Sequence, residues 1–392
     1  MKILVASHRY FPTIGGQETI AAAIAQSWAE DYEVEVLTYN HQDPSRTAIK
    51  RLNGLLVRYC AVDRYKFRIP FSKQFLKHLR SSSFDILHAH GHVPFTSDIA
   101  LILGSRRKSN TILTHHFDGT IQDHPYFQPL ASFYNRTFGR LAVKASKYVV
   151  ATTKSYAKTS EVLGKHMVRS IVISPGIDTD KFKPCGNEIK QRIREHYAPN
   201  KKILILFVGR IVPYKGLHVL LDALRLLSKH KVDFSLLIVG KSEGKTPFAA
   251  GSPYYSCVVK EAQRKELRNS VYFLGEVSNE LLVQLYSSSD LFVLPSTQRG
   301  EAFGLVLLES LACGTPVIAP TLQGVKEVLL GNQEIGRYAI NGSAPDFARQ
   351  ILKAIDDGDY KRDKCRQFVI KHYPLQKMID RYRKLLKLAE SN

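Results

Sequence analysis

A chain of 392 residues with 44% hydrophobic content is longer than one core comfortably fills, so two domains are expected. Its five cysteines are scattered without paired spacing, which argues against a disulfide framework or a zinc module and points to a reducing, cytosolic home. The formal charge of +21 favours anionic partners without choosing among nucleic acid, anionic lipid and small phosphorylated ligands.

The opening MKILVASHRYFP holds an apolar run too short for a secretory signal, and no later segment reaches the length of a membrane span, so a soluble or peripherally attached protein is expected. KILVAS leads to an Ala-rich helical run after Gly15 and Gly16. EVEVLT, LLVRYC, DILHA, TILT, YVVAT and SIVIS follow as strands, mostly with helical stretches between. Short β-branched runs without strict alternation suit a parallel sheet covered on both faces. SPGIDTDKFKPCGNE, rich in turn formers, reads as a hinge. Beyond it KILILFVGR, FSLLIVG, VYFLG, DLFVLP and PVIAP make a second series, and from about Pro374 the chain reads as a basic helix. The expected fold is α/β, with two doubly wound Rossmann-like domains, 1–180 and 181–373, and a carboxyl-terminal helix, 374–392.

In such sheets ligands bind beyond the carboxyl ends of the strands. Arg210 and Lys215 follow ILILFVG, in GRIVPYKG, and lead into a helix starting near Gly216. Two cations beside a helix amino terminus suit a diphosphate without a metal; a solvated pair in a surface loop is the alternative. Glu301 follows DLFVLPS, and Glu309 lies eight residues further, in a helix from about Gly304. Eight residues of helical rise cover at most about 12 Å, so the two carboxylates could serve opposite ends of one extended ligand. With cations for the middle, the pattern describes a nucleotide sugar: Glu309 would accept from ribose hydroxyls and Glu301 from those of the sugar.

Three further signals have competing readings. HAHGH sets His88, His90 and His92 at alternate positions, and His115, His116 and Asp118 follow a later strand. The set could be drawn as a metal site, yet a strand end in a polar cleft explains the same residues, and no metal is expected. VGKSEGKT imitates a phosphate loop, but Gly240 lies one residue too close to Gly244-Lys245-Thr246. Arg58 to Arg80 interleaves cations with Tyr and Phe. It reads as a helix with aromatics inward, as a segment lying on an anionic membrane, or as one along a nucleic acid.

GRIVPYKG, FLGEVSNELLVQLYSSSDLFVLPS, EAFGLVLLESLACGTPVIAP and SPGIDTDKF together resemble the carboxyl-terminal half of glycosyltransferase family 4, retaining enzymes of the GT-B fold. GGQE, DILHAHGH and THHFDG are similar to the family's acceptor-side half. The resemblance implies two Rossmann-like domains facing across a cleft, the last helix packing near the first. The donor, a nucleoside-diphosphate sugar, would be bound mainly by the second domain, and a glycan, lipid-linked or small-molecule acceptor by the first. It implies that Arg210 and Lys215, beside Gly209, bind the donor diphosphate, and that Glu301 and Glu309 are the two glutamates of the family's motif, with the backbone of Phe303 and Gly304 near sugar and phosphate. His116 matches the histidine near the transferred sugar, Gly15 and Gly16 the first glycine loop, and Val277 a backbone contact to the base. STQRGEAFG is longer and more basic before Glu301 than the common pattern.

No cofactor is expected beyond the donor itself. A nucleotide-sugar 2-epimerase or a phosphorylase on the same fold is the alternative. Nucleic-acid binding, motivated by charge alone, leaves Glu301 and Glu309 unexplained and is not expected. The expected location is cytoplasmic, with an anionic inner membrane face as a peripheral seat.

Overall fold

Aliphatic runs alternate with amphipathic segments to give two α/β units, one of Met1–Gly176 with Gln376–Asn392 and one of Ile177–Leu375. The chain thus crosses between units at 176–177 and 375–376, where the sequence placed the divisions at 180 and 373. The last helix is no separate segment but part of the first unit. The computed structural model describes all residues except 13–14, 67–68, 92–93, 108, 120–127, 165–169, 242–252, 359–361 and 392.

The described strands of the first unit are β1 (Lys2–Ala6), β2 (Glu33–Tyr39), β3 (Ala48–Leu52), β4 (Leu55–Cys60), β5 (Arg64–Lys66), β6 (Ile69–Phe71), β7 (Ile86–Gly91), β8 (Asn110–His115), β9 (Tyr148–Ala151) and β10 (Ser170–Val172). Between them lie helices α1 (Gly16–Ala29), α2 (Lys73–Ser81), α3 (Ser97–Ser105), α4 (Gln128–Tyr134), α5 (Arg140–Ala145) and α6 (Lys154–Thr159). The main sheet runs β10-β9-β8-β7-β1-β2-β4-β3, parallel except where β3 pairs antiparallel with β4. From β1 the chain steps out through β2 and β4, then returns to β1's other side at β7. The order therefore reverses between β1 and β7, the place where such sheets open a crevice.

Sequence reading passed over β3 because Ile49, Lys50 and Arg51 are exposed on an edge strand, charged as edges usually are. The Arg58 to Arg80 stretch is not one helix. It divides into β4, the hairpin β5–β6 and α2, with Phe67 and Arg68 outside the described residues. In α2, Phe75 and Leu79 face the core while Lys73, Lys77 and Arg80 face water. The Ser72 hydroxyl caps this helix by accepting from the Phe75 N–H at 3.0 Å.

The second unit contains β11 (Ile203–Val208), β12 (Phe234–Val239), β13 (Val271–Gly275), β14 (Leu291–Val293), β15 (Val317–Pro320) and β16 (Gly336–Ala339). Its helices are α7 (Asn187–Tyr197), α8 (Leu217–Lys229), α9 (Pro253–Ala262), α10 (Asn279–Ser288), α11 (Leu305–Ala312), α12 (Gln323–Lys326), α13 (Ala344–Asp357) and α14 (Arg362–His372). The sheet, β13-β12-β11-β14-β15-β16, is parallel throughout and reverses between β11 and β14.

Helix α15 (Leu375–Glu390) returns to the first unit. Its Tyr382 hydroxyl lies 3.0 Å from the Thr114 hydroxyl, and backbone carbonyls at its end accept from the Tyr148 hydroxyl at 3.0 Å and the Asn110 amide at 2.5 Å. On the sheet, Trp28 of α1 packs 4.9 Å from the ring of His88, which lies 4.2 Å from His90, and His90 stacks 5.4 Å from His116. Among the described residues no helix is long and apolar enough to cross a membrane.

Burial of these imidazoles makes the first unit sensitive to acid. Burial, with repulsion from the neighbouring ring, pushes His88 and His116 from the ordinary 6.5 down to about 3, and His90 well below 6.5. As pH falls from 6.5 toward 3, the unfolded chain takes up protons that the folded chain refuses, so stability present above 6.5 drains away over that interval. Trp28 is the only tryptophan in the chain, so its emission reports this unit alone. It should redden cooperatively within that interval; emission unchanged down to about pH 3 would show that the rings are not held neutral by the fold.

Candidate functional site

In the second unit, the loops leaving β11 and β14 meet where the strand order reverses. Gly216, at φ +71°, lies so close to the Pro295 carbonyl oxygen that a β-carbon would stand 2.0 Å from it, and only glycine suits both the angle and the space. The turn Pro213–Lys215 is thereby laid against the chain leaving β14, and the Thr297 N–H donates to the Tyr214 carbonyl at 2.8 Å. Lys215 Nζ then donates to Glu301 Oε2, which also accepts from the Ser296 hydroxyl at 3.1 Å. The two charged side chains are only 13% and 10% exposed. Burial alone would lower the Lys215 pKa, but the Glu301 charge and hydrogen bond outweigh it and hold the ammonium above its ordinary range. Arg210 is more exposed; it donates to the Tyr214 hydroxyl at 2.9 Å and lies 5.9 Å from that ring, with Lys215 Nζ at 5.5 Å. Gly209 donates its N–H to the Val239 carbonyl at 2.9 Å, and its own carbonyl lies where a β-carbon on Gly240 would sit.

Helices α8 and α11 both start at this reversal, from Gly216 and from Gly304 at φ +81°. Neither has a side-chain cap or an acid in its first turn, whereas Ser72, Thr153, Ser278 and Ser343 cap α2, α6, α10 and α13. At α8 the His218 N–H turns to the Tyr254 hydroxyl at 3.3 Å. Uncapped amino ends attract anions, and the one acid beside these two, Glu301, is held by Lys215. Phe303, just before Gly304, buries its ring 5.9 Å from Tyr373, so only its backbone is available to a ligand.

Glu309 sits within α11, whereas Glu301 stands in the loop ahead of it, so the eight residues between them are not all helical rise. Glu309 Oε2 accepts from the hydroxyl of the fully buried Tyr286 at 2.8 Å. Burial raises the Glu309 pKa, opposed by that bond and by the charges of Lys181 and Lys215. Tyr286, on α10, escaped sequence reading because no spacing ties it to Glu309. Val277 lies in the loop after β13, half-buried against the core.

In the first unit, His116 follows β8 and donates its N–H to the Gly91 carbonyl at 2.8 Å, tying the ends of β7 and β8. Its Nε2 meets His90 Nδ1 at 3.1 Å. His115 turns the other way, 3.0 Å from Asp118, which also accepts from Ser160 at 2.5 Å and from the Glu161 N–H at 2.8 Å. Burial would raise the Asp118 pKa, yet the hydrogen bond and charge of His115 bring it down to about 2. The histidines thus split into two sets. Among the described residues no three His, Cys, Asp or Glu side chains gather as a metal cluster, and His92 lies outside those residues. Gly15 is extended, a conformation open to any residue, but a β-carbon there would stand 2.3 Å from the Glu18 carboxylate. Glu18 gives α1, which opens at Gly16, an acid in its first turn that α8 and α11 lack. The phosphate-loop imitation falls mainly at 242–252, outside the described residues.

The chain matches the family model described as "Glycosyltransferase Family 4" over residues 14–181 and that described as "Glycosyl transferases group 1" over 188–372. It is 29% identical to the D-rhamnosyltransferase WbpZ of Pseudomonas aeruginosa, over 87% of this chain and 82% of that protein. With the O-antigen chain mannosyltransferase C of Escherichia coli it shares 26% identity, over 91% and 88% of the two chains. Among solved structures, Anabaena HepE in complex with UDP-glucose superposes with a TM-score of 0.76 at 19% identity, covering 99% of each chain. Sucrose-phosphate synthase from Thermosynechococcus elongatus gives 0.77 at 17%, covering 100% and 99%. Both units carry the parallel sheets of that GT-B fold, and with the family matches falling on the two halves in turn, the chain belongs to glycosyltransferase family 4, enzymes that move a sugar from a nucleotide sugar to an acceptor.

Proposed function

We propose that this enzyme transfers a hexose with retention of configuration and without a metal, binding a nucleoside-diphosphate sugar chiefly through its second unit. The observation that carries this reading is the buried Lys215–Glu301 pair, set beside Arg210 and two uncapped helix starts. As the bond from the anomeric carbon to the phosphate oxygen breaks, its electron pair leaves with the diphosphate, and negative charge grows where cations and N–H dipoles are already oriented. The acceptor hydroxyl attacks from the face the phosphate leaves, and its proton passes to the departing phosphate oxygen. Lys215 has three N–H donors, so it can meet a phosphate oxygen while keeping Glu301. Glu301 accepts from hydroxyls of the sugar, and Glu309, with Oε2 held by Tyr286, offers Oε1 to the ribose. His116, neutral at working pH, positions the sugar without opposing positive charge at the anomeric carbon. The backbones of Gly209, Phe303 and Gly304 line the phosphates, that of Val277 the base, and Gly15 and Gly16 serve as the first unit's approach to the donor.

The HepE complex with UDP-glucose supports a nucleotide-sugar donor here, and the relatives named for D-rhamnosyl and O-antigen chain mannosyl transfer support a glycan acceptor. Those transferases also favour transfer over epimerisation or phosphorolysis.

Turnover should fall roughly 10²- to 10³-fold in Arg210→Ala and in Lys215→Ala, the usual loss for one electrostatic donor. Lys215→Ala also strands Glu301 without its partner, so its melting temperature should drop. Adding Glu301→Gln should restore the melt but not the rate; a rate recovered with the melt would mean that Lys215 serves only the ion pair.

Calorimetry with free nucleoside diphosphates separates the two glutamates. Glu309→Gln should weaken binding because a charged acceptor for the ribose hydroxyls becomes neutral, whereas Glu301→Gln, which releases Lys215, should not. Equal losses from both would contradict the assignment.

Anomeric proton couplings of the first-formed product should match those of the donor, and turnover should be unchanged by a chelator. Inversion, or activity lost to the chelator and restored by a divalent ion, would overturn the corresponding part of the proposal.

A further inference from the structure

Leu130, Phe133, Phe138 and Leu141 are 50%, 62%, 43% and 48% exposed. They lie along one continuous helical run formed by α4, the π-helical turn Asn135–Gly139 and α5. In an α-helix, residues five apart point to different sides, so Phe133 and Phe138 would be out of phase. The i to i+5 bonding of a π turn stacks such residues and returns Phe138 to the face of the other three. Phe95, 43% exposed, extends the patch: its ring meets Tyr134 at 5.6 Å, and Tyr134 stacks on Phe138 at 5.1 Å. Phe95 holds a left-handed φ of +60°, fixed from both sides, since its N–H donates to the Tyr134 hydroxyl and its carbonyl accepts from the Tyr39 hydroxyl, each at 3.2 Å. Single exposed apolar residues are ordinary on any protein, but four within twelve residues of one helix form a patch.

Charge selects the occupant. From 128 to 147 the sequence contains Arg136, Arg140, Lys144 and Lys147 and no Asp or Glu, and the exposed Arg106 and Arg107 follow α3, which packs on α5. A second copy would bring the same cations, and the acid beside this run, Glu161, is already paired with Arg136 at 2.9 Å. Helix α2, also basic, turns Phe75 and Leu79 inward and offers water its cations with Gln74 and Ser81.

We propose that this helical face seats the first unit on an anionic lipid bilayer, with the apolar side chains at the headgroup–acyl boundary and the cations on lipid phosphates. The proposal stands independently of the donor chemistry.

Flotation with vesicles of equal parts phosphatidylglycerol and phosphatidylcholine, and with phosphatidylcholine alone, tests it. Wild type should float with the anionic vesicles at low salt and be released as salt rises. Phe133→Ser with Leu141→Ser should weaken this by roughly tenfold or more. Lys144→Gln with Lys147→Gln should cost roughly fivefold per side chain. Changing Lys73, Lys77 and Arg80 together to Gln should cost less than the Ser pair. Trp28 emission identical to wild type certifies the fold of each variant, and Leu130→Gln replaces the Ser pair if that pair fails it. The proposal is overturned if wild type ignores anionic vesicles at low salt, or if the α2 variant loses binding while the apolar variants keep it. A wild type that ignores vesicles but self-associates through this face, becoming monomeric in the Ser pair, would overturn it as well.

Discussion

A carboxylate taken out of water must be paired, and in the second unit that requirement organises the crevice. An unpaired buried ion costs several kcal/mol, so Glu301 and Lys215 hold one another in place before any ligand arrives. They meet because the missing side chain of Gly216 lets one loop settle on the Pro295 carbonyl that ends the neighbouring strand segment. The same glycine opens α8, so one backbone constraint sets both the lysine and the helix amino end beside it. The arrangement is oriented in advance, and preorganised charge is worth most where charge develops during reaction.

The first unit meets its crevice with the opposite electrostatics. Its strand ends present imidazoles that burial keeps uncharged, stacked on one another and on Trp28, while the carboxylate of Asp118 is turned aside to His115, Ser160 and the Glu161 amide. Uncharged hydrogen-bonding groups discriminate hydroxyls without competing for phosphate.

Much of this was legible in the amino-acid order, for identifiable reasons. Arg210 and His116 stand directly after strands whose aliphatic runs are unmistakable, Glu301 lies in the loop that follows another, and the reversal of strand order was implied by two successive βαβ series. The Lys215–Glu301 pair was not legible: the residues are 86 positions apart, and their meeting depends on β11 lying beside β14 and on a turn conformation available only to glycine. Tyr286 was hidden because its role is a single hydroxyl inside an otherwise apolar helix face. The π turn leaves no mark in Asn-Arg-Thr-Phe-Gly, and without it Phe133 and Phe138 read as out of phase. The cation-rich stretch from Arg58 misled because, among its described residues, Tyr59 and Phe75 are spent inside the fold while Tyr65 is exposed.

The return of α15 to the first unit bears on how the protein is made. The crossing segments run side by side, with the Ile177 N–H donating to the Tyr373 carbonyl and the Leu375 N–H to that of Ile177, each at 2.9 Å. A ribosome releases the first 176 residues long before Tyr382 exists to cover Thr114 and the His88 ring. During synthesis the earlier-made sheet therefore waits with the part of its surface around Thr114 and Tyr148 uncovered while the whole second unit emerges. Vectorial folding would run out of order here: the domain begun first is completed only after the second unit, once α15 has left the exit tunnel.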